Sequence, residues 1–186
     1  MKNYRIRREQ PSDFAHIHTL IKTAFATADY SDQQEQFLVE RLRQDPAFLP
    51  KLALVAEHEN GQIIGHIVFS QALINDTKVL ALAPLSVHPN YQKQGVGTAL
   101  IQHAHKLIQA LDYPAVVVLG YSDYYAKFGY QHAGKLGLTA PFDVPDGALR
   151  VWVLSDTTYD TLKGEFNMLM HFLANLALLV WLNTVK

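Results

Sequence analysis

The sequence predicts an α/β fold: a mixed, mostly antiparallel central sheet flanked by helices, with a C-terminal apolar helix. Three observations carry this. The β-rich runs 52–57 and 62–71 are separated by Glu59-Asn60-Gly61, and Asn-Gly between such runs marks an antiparallel hairpin. The apolar run 79–87, a helical stretch over 95–111 and a second apolar run over 115–119 imply a parallel strand pair joined by a crossover helix. Residues 166–182 are dense in Leu, Met, Phe and Trp, and a helix that apolar must be buried.

The other elements follow in chain order. Residues 4–8 alternate Tyr4 and Ile6 against Arg5 and Arg7, a strand with one buried face. Pro11-Ser12-Asp13 opens a helix that Ser12 or Asp13 can cap, with Phe14, Ile17, Leu20 and Ile21 at helical spacing. Ser31-Asp32 starts a second helix with Phe37, Leu38 and Leu42 as its apolar stripe, and Asp45-Pro46 ends it. Asn75-Asp76 is a second turn. The run 79–87 reads as a strand buried on both faces, broken by His88-Pro89-Asn90. The helix 95–111 turns Ala99, Leu100, His103, Leu107 and Ile108 inward. Residues 123–128 form a short helix closed by Gly129, and 149–154 a late strand. The main domain is expected over 1–158, with 159–186 as a helical extension.

A length of 186 residues suits one domain, and 49% apolar against 18% charged residues is the balance of a folded globule. A formal net charge of −1 without a run of Lys or Arg argues against a nucleic-acid partner. The sequence has no cysteine, which excludes disulfides, thiolate zinc sites and a cysteine nucleophile, and suits a cytoplasmic protein. Residues 1–8 carry charges with no apolar run behind them, so no secretory signal is expected. No metal is expected either. His16/His18 and His103/His105 are two apart, on different helix faces, unlike the i, i+4 pair of a helical zinc site. Ser122 lacks the Gly-x-Ser-x-Gly of a nucleophile elbow.

The residues richest in chemistry are 85–100. A buried strand ends, Pro89 forces a turn, and Gly95 and Gly97 precede a helix. Glycine lets a ligand approach the backbone, and a helix's first turn offers unpaired N–H groups and the positive end of its dipole. That combination makes an anion site suited to phosphate. A dinucleotide fingerprint would need a third glycine where Leu100 stands, and a triphosphatase loop would need Gly-Lys-Ser/Thr.

Gln92-x-x-Gly95-x-Gly97, after Leu85-Ser86-Val87-His88-Pro89, resembles the Arg/Gln-x-x-Gly-x-Gly/Ala cofactor motif of the GNAT superfamily of acyl-CoA N-acyltransferases. The segment from Asp123 to Tyr130 resembles that family's Tyr-x-x-x-Gly-Phe signature, with Tyr130 in place of Phe. The likeness spans about residues 4 to 155. Pro84-Leu85, Leu119-Gly120, Gly129-Tyr130 and Ala140-Pro141-Phe142 resemble the bacterial YhbS-like subgroup of N-acetyltransferases.

The resemblance implies a GNAT-like acyltransferase domain that moves an acetyl group from acetyl-CoA, the acyl-donor cosubstrate, to a primary amine by direct attack in a ternary complex. It implies that backbone N–H groups of Gln92, Lys93, Gln94, Gly95, Val96, Gly97 and Thr98 bind the pyrophosphate. Leu85, Ser86 and Val87 lie where the family's strand offers main-chain groups to the pantetheine arm and acetyl group. Tyr125, four residues before Gly129, stands where the family often places its general acid. The family sometimes uses a carboxylate base on the central strand, but 79–87 holds no Asp or Glu. Ser86, His66, His88 and Asp123 are base candidates by position. The acceptor, a small-molecule or peptide amine, is expected at loops 24–32 and 136–147. Asp29, Asp32 and Glu35 could meet a cationic amine there or be solvated surface. The alternative is a module that binds acyl-CoA without catalysing.

The apolar 166–182 run carries Asn167, His171 and Asn175 on one stripe, and its 17 residues are at the lower limit for a membrane span. It can pack on the domain, pair two copies in a homodimer, or touch a membrane, the last being least expected.

Overall fold

The structure, a computed structural model, describes residues 3–26, 31, 33–120, 122–140, 143–154 and 162–167. They divide into a first unit, within Met1–Phe69 and Pro84–Ala110, and a second, within Ser70–Ala83 and Leu111–Lys186.

The first unit begins with the expected antiparallel strands. β1 (Tyr4–Arg8) pairs with β2 (Leu54–His58), which pairs with the first half of β3 (Ile63–Ile74). Their hairpin depends on Gly61, whose φ of +85° a side chain would resist, while the Gln62 N–H donates to Asn60 Oδ1 at 3.0 Å. α1 (Phe14–Phe25) buries Ile17, Leu20 and Ile21 and packs on α2 (Glu35–Leu42). Asp13 turns its carboxylate back to the Gln10 N–H and to Arg7 instead of capping α1.

Three details of the helices depart from the expected pattern. α2 starts at Glu35, not at Ser31-Asp32, and it buries Gln36, Val39 and Leu42; Asp32 lies outside the described residues. Phe37 is exposed, its ring edge-on to His18 at 5.4 Å. Phe14 is exposed as well, under the Arg43 guanidinium at 3.9 Å, so the two rings rest against cations and imidazole at the rim of the helix pair. α3 (Val96–Ile108) buries a broad face at its start, from Val96 to Ile101, that narrows to Ala104 and Ile108; His103 and Leu107 are exposed.

α3 reaches β3 closely because of Gly65. A Cβ there would stand 2.9 Å from both Leu100 Cδ1 and Val96 Cγ1. The start of α3, which carries the phosphate motif, is therefore seated by a missing side chain.

In the second unit, β4 (Thr77–Val87) runs parallel beside β5 (Ala115–Leu119), with Leu80 opposite Val116, as the crossover reading predicts. β5 pairs antiparallel with β8 (Leu149–Val153), and β8 with the two-residue β6 (Gln131–His132). The mixed sheet is therefore present. α4 (Ser122–Ala126) ends before the expected residue 128, and the turn 127–129 that follows closes on Gly129 at φ +88°. β9 (Gly164–Asn167) pairs antiparallel with β3 at Leu73 and Ile74 and parallel with β7 (Leu138–Thr139). Phe166 and Asn167, the first residues of the expected apolar helix, are thus the end of a strand. The rest of that run, from 168 onward, lies outside the described residues.

Candidate active site

β4 ends in the first unit with a regular alternation: Pro84 and Ser86 are buried, while Leu85 and Val87 are partly open. Pro89 then starts a 3-10 turn over Pro89–Tyr91, closed by an Asn90 N–H that donates to His88 Nδ1 at 3.2 Å. Two glutamines tie the loop down. Gln92 Nε2 donates to Val87 O at 3.1 Å, and Gln94 Nε2 donates to Asn90 O at 2.7 Å. Lys93 at φ +59° and Gly95 at φ +85° swing the chain into α3.

The first helical bond of α3 runs from Ala99 N–H to Gly95 O at 2.9 Å, and no side chain caps Gly95. The N–H groups of Val96, Gly97 and Thr98 therefore precede any intrahelical acceptor. A Cβ at Gly95 would meet nothing within 4 Å, so the backbone is open on that side. An uncapped first turn behind an open glycine fits a bound diphosphate, which supplies the missing acceptors. Lys93, Gln94 and Gly95 are exposed, in keeping with work done by backbone.

The same unit also buries an ion cluster. Glu9 accepts from Arg43 Nε at 2.9 Å and Nη2 at 3.0 Å, and meets His66 Nε2 at 3.0 Å. Burial alone would raise the Glu9 pKa, but the His66 and Arg43 hydrogen bonds outweigh it and hold the carboxyl down at about 2. His66 is fully buried, and burial pushes its pKa below the usual imidazole value, against the pull of Glu9. Of the four base candidates, His88 spends Nδ1 on the Asn90 N–H, and Asp123 is exposed on α4. Ser86 and His66 are both buried, and Ser86 Oγ and His66 Nδ1 have no hydrogen-bond partner. Glu9 and Arg43 escape sequence reasoning, because partners 57 and 34 residues apart carry no local signal.

Tyr125 lies in the second unit, on α4, 8% exposed among Tyr124 at 5.3 Å and Tyr130 at 5.6 Å, both edge-on. Its ring fills the space of a missing side chain: a Cβ on Gly120 would stand 2.6 Å from Tyr125 Cε2. Burial, then the neighbouring Tyr124, raises its pKa, so the phenol stays protonated at neutral pH. Tyr121, Asp29, Pro141 and Phe142 lie outside the described residues. Among the described residues no His, Asp and Glu cluster could hold a metal, and no helix is long and apolar enough to cross a membrane.

A strand ending in an uncapped, glycine-led helix makes a diphosphate site, and comparison with known proteins assigns the family. The acetyltransferase (GNAT) domain model matches residues 50–132. The uncharacterised N-acetyltransferase YjhQ of Escherichia coli K12 is 33% identical over 161 residues, covering 83% of this chain and 86% of its own. This chain belongs to the GNAT acetyltransferase family and is an acyl-CoA N-acyltransferase.

Within that family it is similar to the uncharacterised N-acetyltransferase YhbS of E. coli K12, at 31% identity over 169 residues, 90% of this chain and 97% of that protein. The structure of E. coli YhbS in complex with CoA superposes with a TM-score of 0.82 at 28% identity, over 95% of this chain and 96% of that one. A GNAT family acetyltransferase from Brucella melitensis, in complex with acetyl-CoA, gives 0.76 at 29% identity, over 92% and 99%.

Proposed function

We propose that this chain transfers the acetyl group of acetyl-CoA to a primary amine by direct attack in a ternary complex. The observation that carries the reading is the start of α3 behind Gly95, where no side chain caps the first turn and a Cβ on the glycine would meet nothing within 4 Å. The CoA and acetyl-CoA held by the two similar structures support the same donor.

In this reading the backbone N–H groups of Lys93 to Thr98 hold the pyrophosphate, the Gln92 N–H being spent on Pro89 O at 3.2 Å, and side chains there are free to vary. The main chain at Leu85, Ser86 and Val87 guides the pantetheine arm, and an N–H near Leu85 or Val87 polarises the thioester carbonyl. Tyr125 gives its proton to the departing sulfur. Its burial among aromatics suits that role, because a phenol kept neutral is a donor at neutral pH. The acceptor is a small-molecule or peptide amine, and residues 24–26, 31, 136–140 and 143–147 are the described parts of the loops assigned to it. A test is to incubate the protein with acetyl-CoA and a library of primary amines and follow free thiol. Amine-dependent, saturable thiol release is expected; thiol release that no amine accelerates would leave the reading without support.

A further inference from the structure

Tyr91 stands just before the phosphate loop, and its ring lies between two imidazoles. The His58 ring centroid is 5.6 Å away, and that of His88 is 5.8 Å away, edge-on. The Tyr91 hydroxyl donates to Gln62 Oε1 at 3.3 Å. Two of these partners come from one place. The His58 N–H donates to Gln62 O at 2.8 Å, so the two residues close the β2–β3 hairpin as a facing pair. Facing residues of an antiparallel pair share one face, and both side chains here meet Tyr91. On its other flank β2 pairs with β1, where Tyr4 faces His58 and holds its hydroxyl 3.5 Å from Gly95 O. Tyr4, His58 and Gln62 therefore form one row across the end of the hairpin. The chain from 91 to 95 meets that row at both of its ends, and all of these residues lie in the first unit.

The span between the two contacts needs holding. Lys93 takes φ +59°, a left-handed conformation that a Cβ disfavours. Such a residue persists where its surroundings over-determine it. Gln92 reaches back to Val87 O at the end of β4, and Gln94 to Asn90 O inside the turn. Tyr91 carries the turn across to the hairpin. It is half-buried, with both its ring and its hydroxyl engaged, so it works as a fastener at the surface and not as part of the core.

We propose that Tyr91 is a positioning residue for the diphosphate of the donor. Seated between His58 and His88 and bonded to Gln62, it sets the loop 92–95 in the shape that leaves the N–H groups of Val96, Gly97 and Thr98 open to phosphate. The inference rests on the acetyl-CoA reading and adds to it a residue outside the phosphate motif. A loop shaped beforehand loses less freedom on binding, so the ligand is held more tightly. Tyr91 thus acts on donor affinity and not on the acetyl-transfer step.

Calorimetric titration of the full chain with acetyl-CoA tests this, with circular dichroism to show that each variant is folded. Tyr91→Ala is expected to bind about tenfold more weakly, the scale of ordering one or two loop residues on binding. Tyr91→Phe keeps the ring and loses one exposed hydrogen bond, so it should stay within about threefold of wild type. In steady-state kinetics Tyr91→Ala should raise KM for acetyl-CoA with kcat unchanged. S-acetylpantetheine, which has the thioester arm and no diphosphate, should serve Tyr91→Ala as well as it serves wild type. A folded Tyr91→Ala with wild-type affinity overturns the proposal. An equal loss with both donors overturns it too, since a general distortion of the fold would give that result. Where Tyr91→Ala does not fold, His58→Ala reads the same brace. His58 lines a cavity open to solvent, so the loss of its ring leaves no buried void. Weaker acetyl-CoA binding by His58→Ala supports the brace, and unchanged affinity overturns it. A wild type that binds no acetyl-CoA removes the donor reading instead, and the role of Tyr91 with it.

Discussion

Tyr125 is the residue on which the chemistry of the proposed reaction is most exposed to test. Its hydroxyl serves no packing role that Phe could not fill, since the ring itself occupies the space left by Gly120. Tyr125→Phe is therefore expected to keep acetyl-CoA affinity while kcat falls about 100-fold, measured by thiol release at saturating amine. Unchanged kcat would remove the acid role from Tyr125. Residues of this kind are legible in sequence when the signal is local. Gly95 and Gly97 stand in a fixed spacing before a helix, and Tyr125 stands four before Gly129. The Glu9–His66–Arg43 cluster is not legible, because only the fold brings a residue after β1, one inside β3 and one after α2 into one ion group. His66 and Ser86 could be named as candidates by position, but that both are buried is a matter of the fold, which a sequence does not display.

At the scale of elements, the seating of α3 on β3 decides where the phosphate loop points. Gly65→Ala would drive a methyl to 2.9 Å from Leu100 and Val96, both branched and both buried, so neither can swing away. Overpacking of this sort costs about 1–3 kcal/mol. Chemical denaturation should show that loss, with acetyl-CoA affinity also reduced as the helix start shifts; a variant as stable as wild type would contradict the packing account. The same scale shows where hydrophobic periodicity misleads. In α2 the expected Phe37 stripe gives way to Gln36, Val39 and Leu42, because a large ring can rest on His18 at the rim while a smaller Val fills the core. In α3 the buried face narrows along the helix, and His103 and Leu107, correctly spaced, are exposed among the described residues. The two-residue strands β6 and β7 are too short to show a period. The Asn60-Gly61 hairpin and the parallel β4–β5 pair were legible because turn chemistry and element order specify them directly.

For the molecule as a whole, acid is the predicted weak point. The Glu9 carboxyl titrates at about 2 when folded against its ordinary 4.5, so its contribution of about 3 kcal/mol is complete above 4.5 and is lost as pH falls toward 2. His66 and His105 act earlier. Burial lowers both, His105 to about 4, so the unfolded chain takes up their protons first as pH drops below 6.5. Melting temperature should therefore decline steadily from neutral pH into the acid range, and Glu9→Gln should flatten its lower part. A melting temperature that does not change over that range would contradict the ion cluster. The central claim is that the start of α3 holds the diphosphate of acetyl-CoA, and calorimetric titration of wild type beside Gly95→Glu tests it most directly. A Cβ at residue 95 meets nothing within 4 Å, but φ +85° strains any side chain there, so Gly95→Ala carries the strain alone while Gly95→Glu adds negative charge where the phosphate should lie. The account predicts saturable binding by wild type and none by a folded Gly95→Glu. Equal binding by the two, or no binding by wild type, would contradict it.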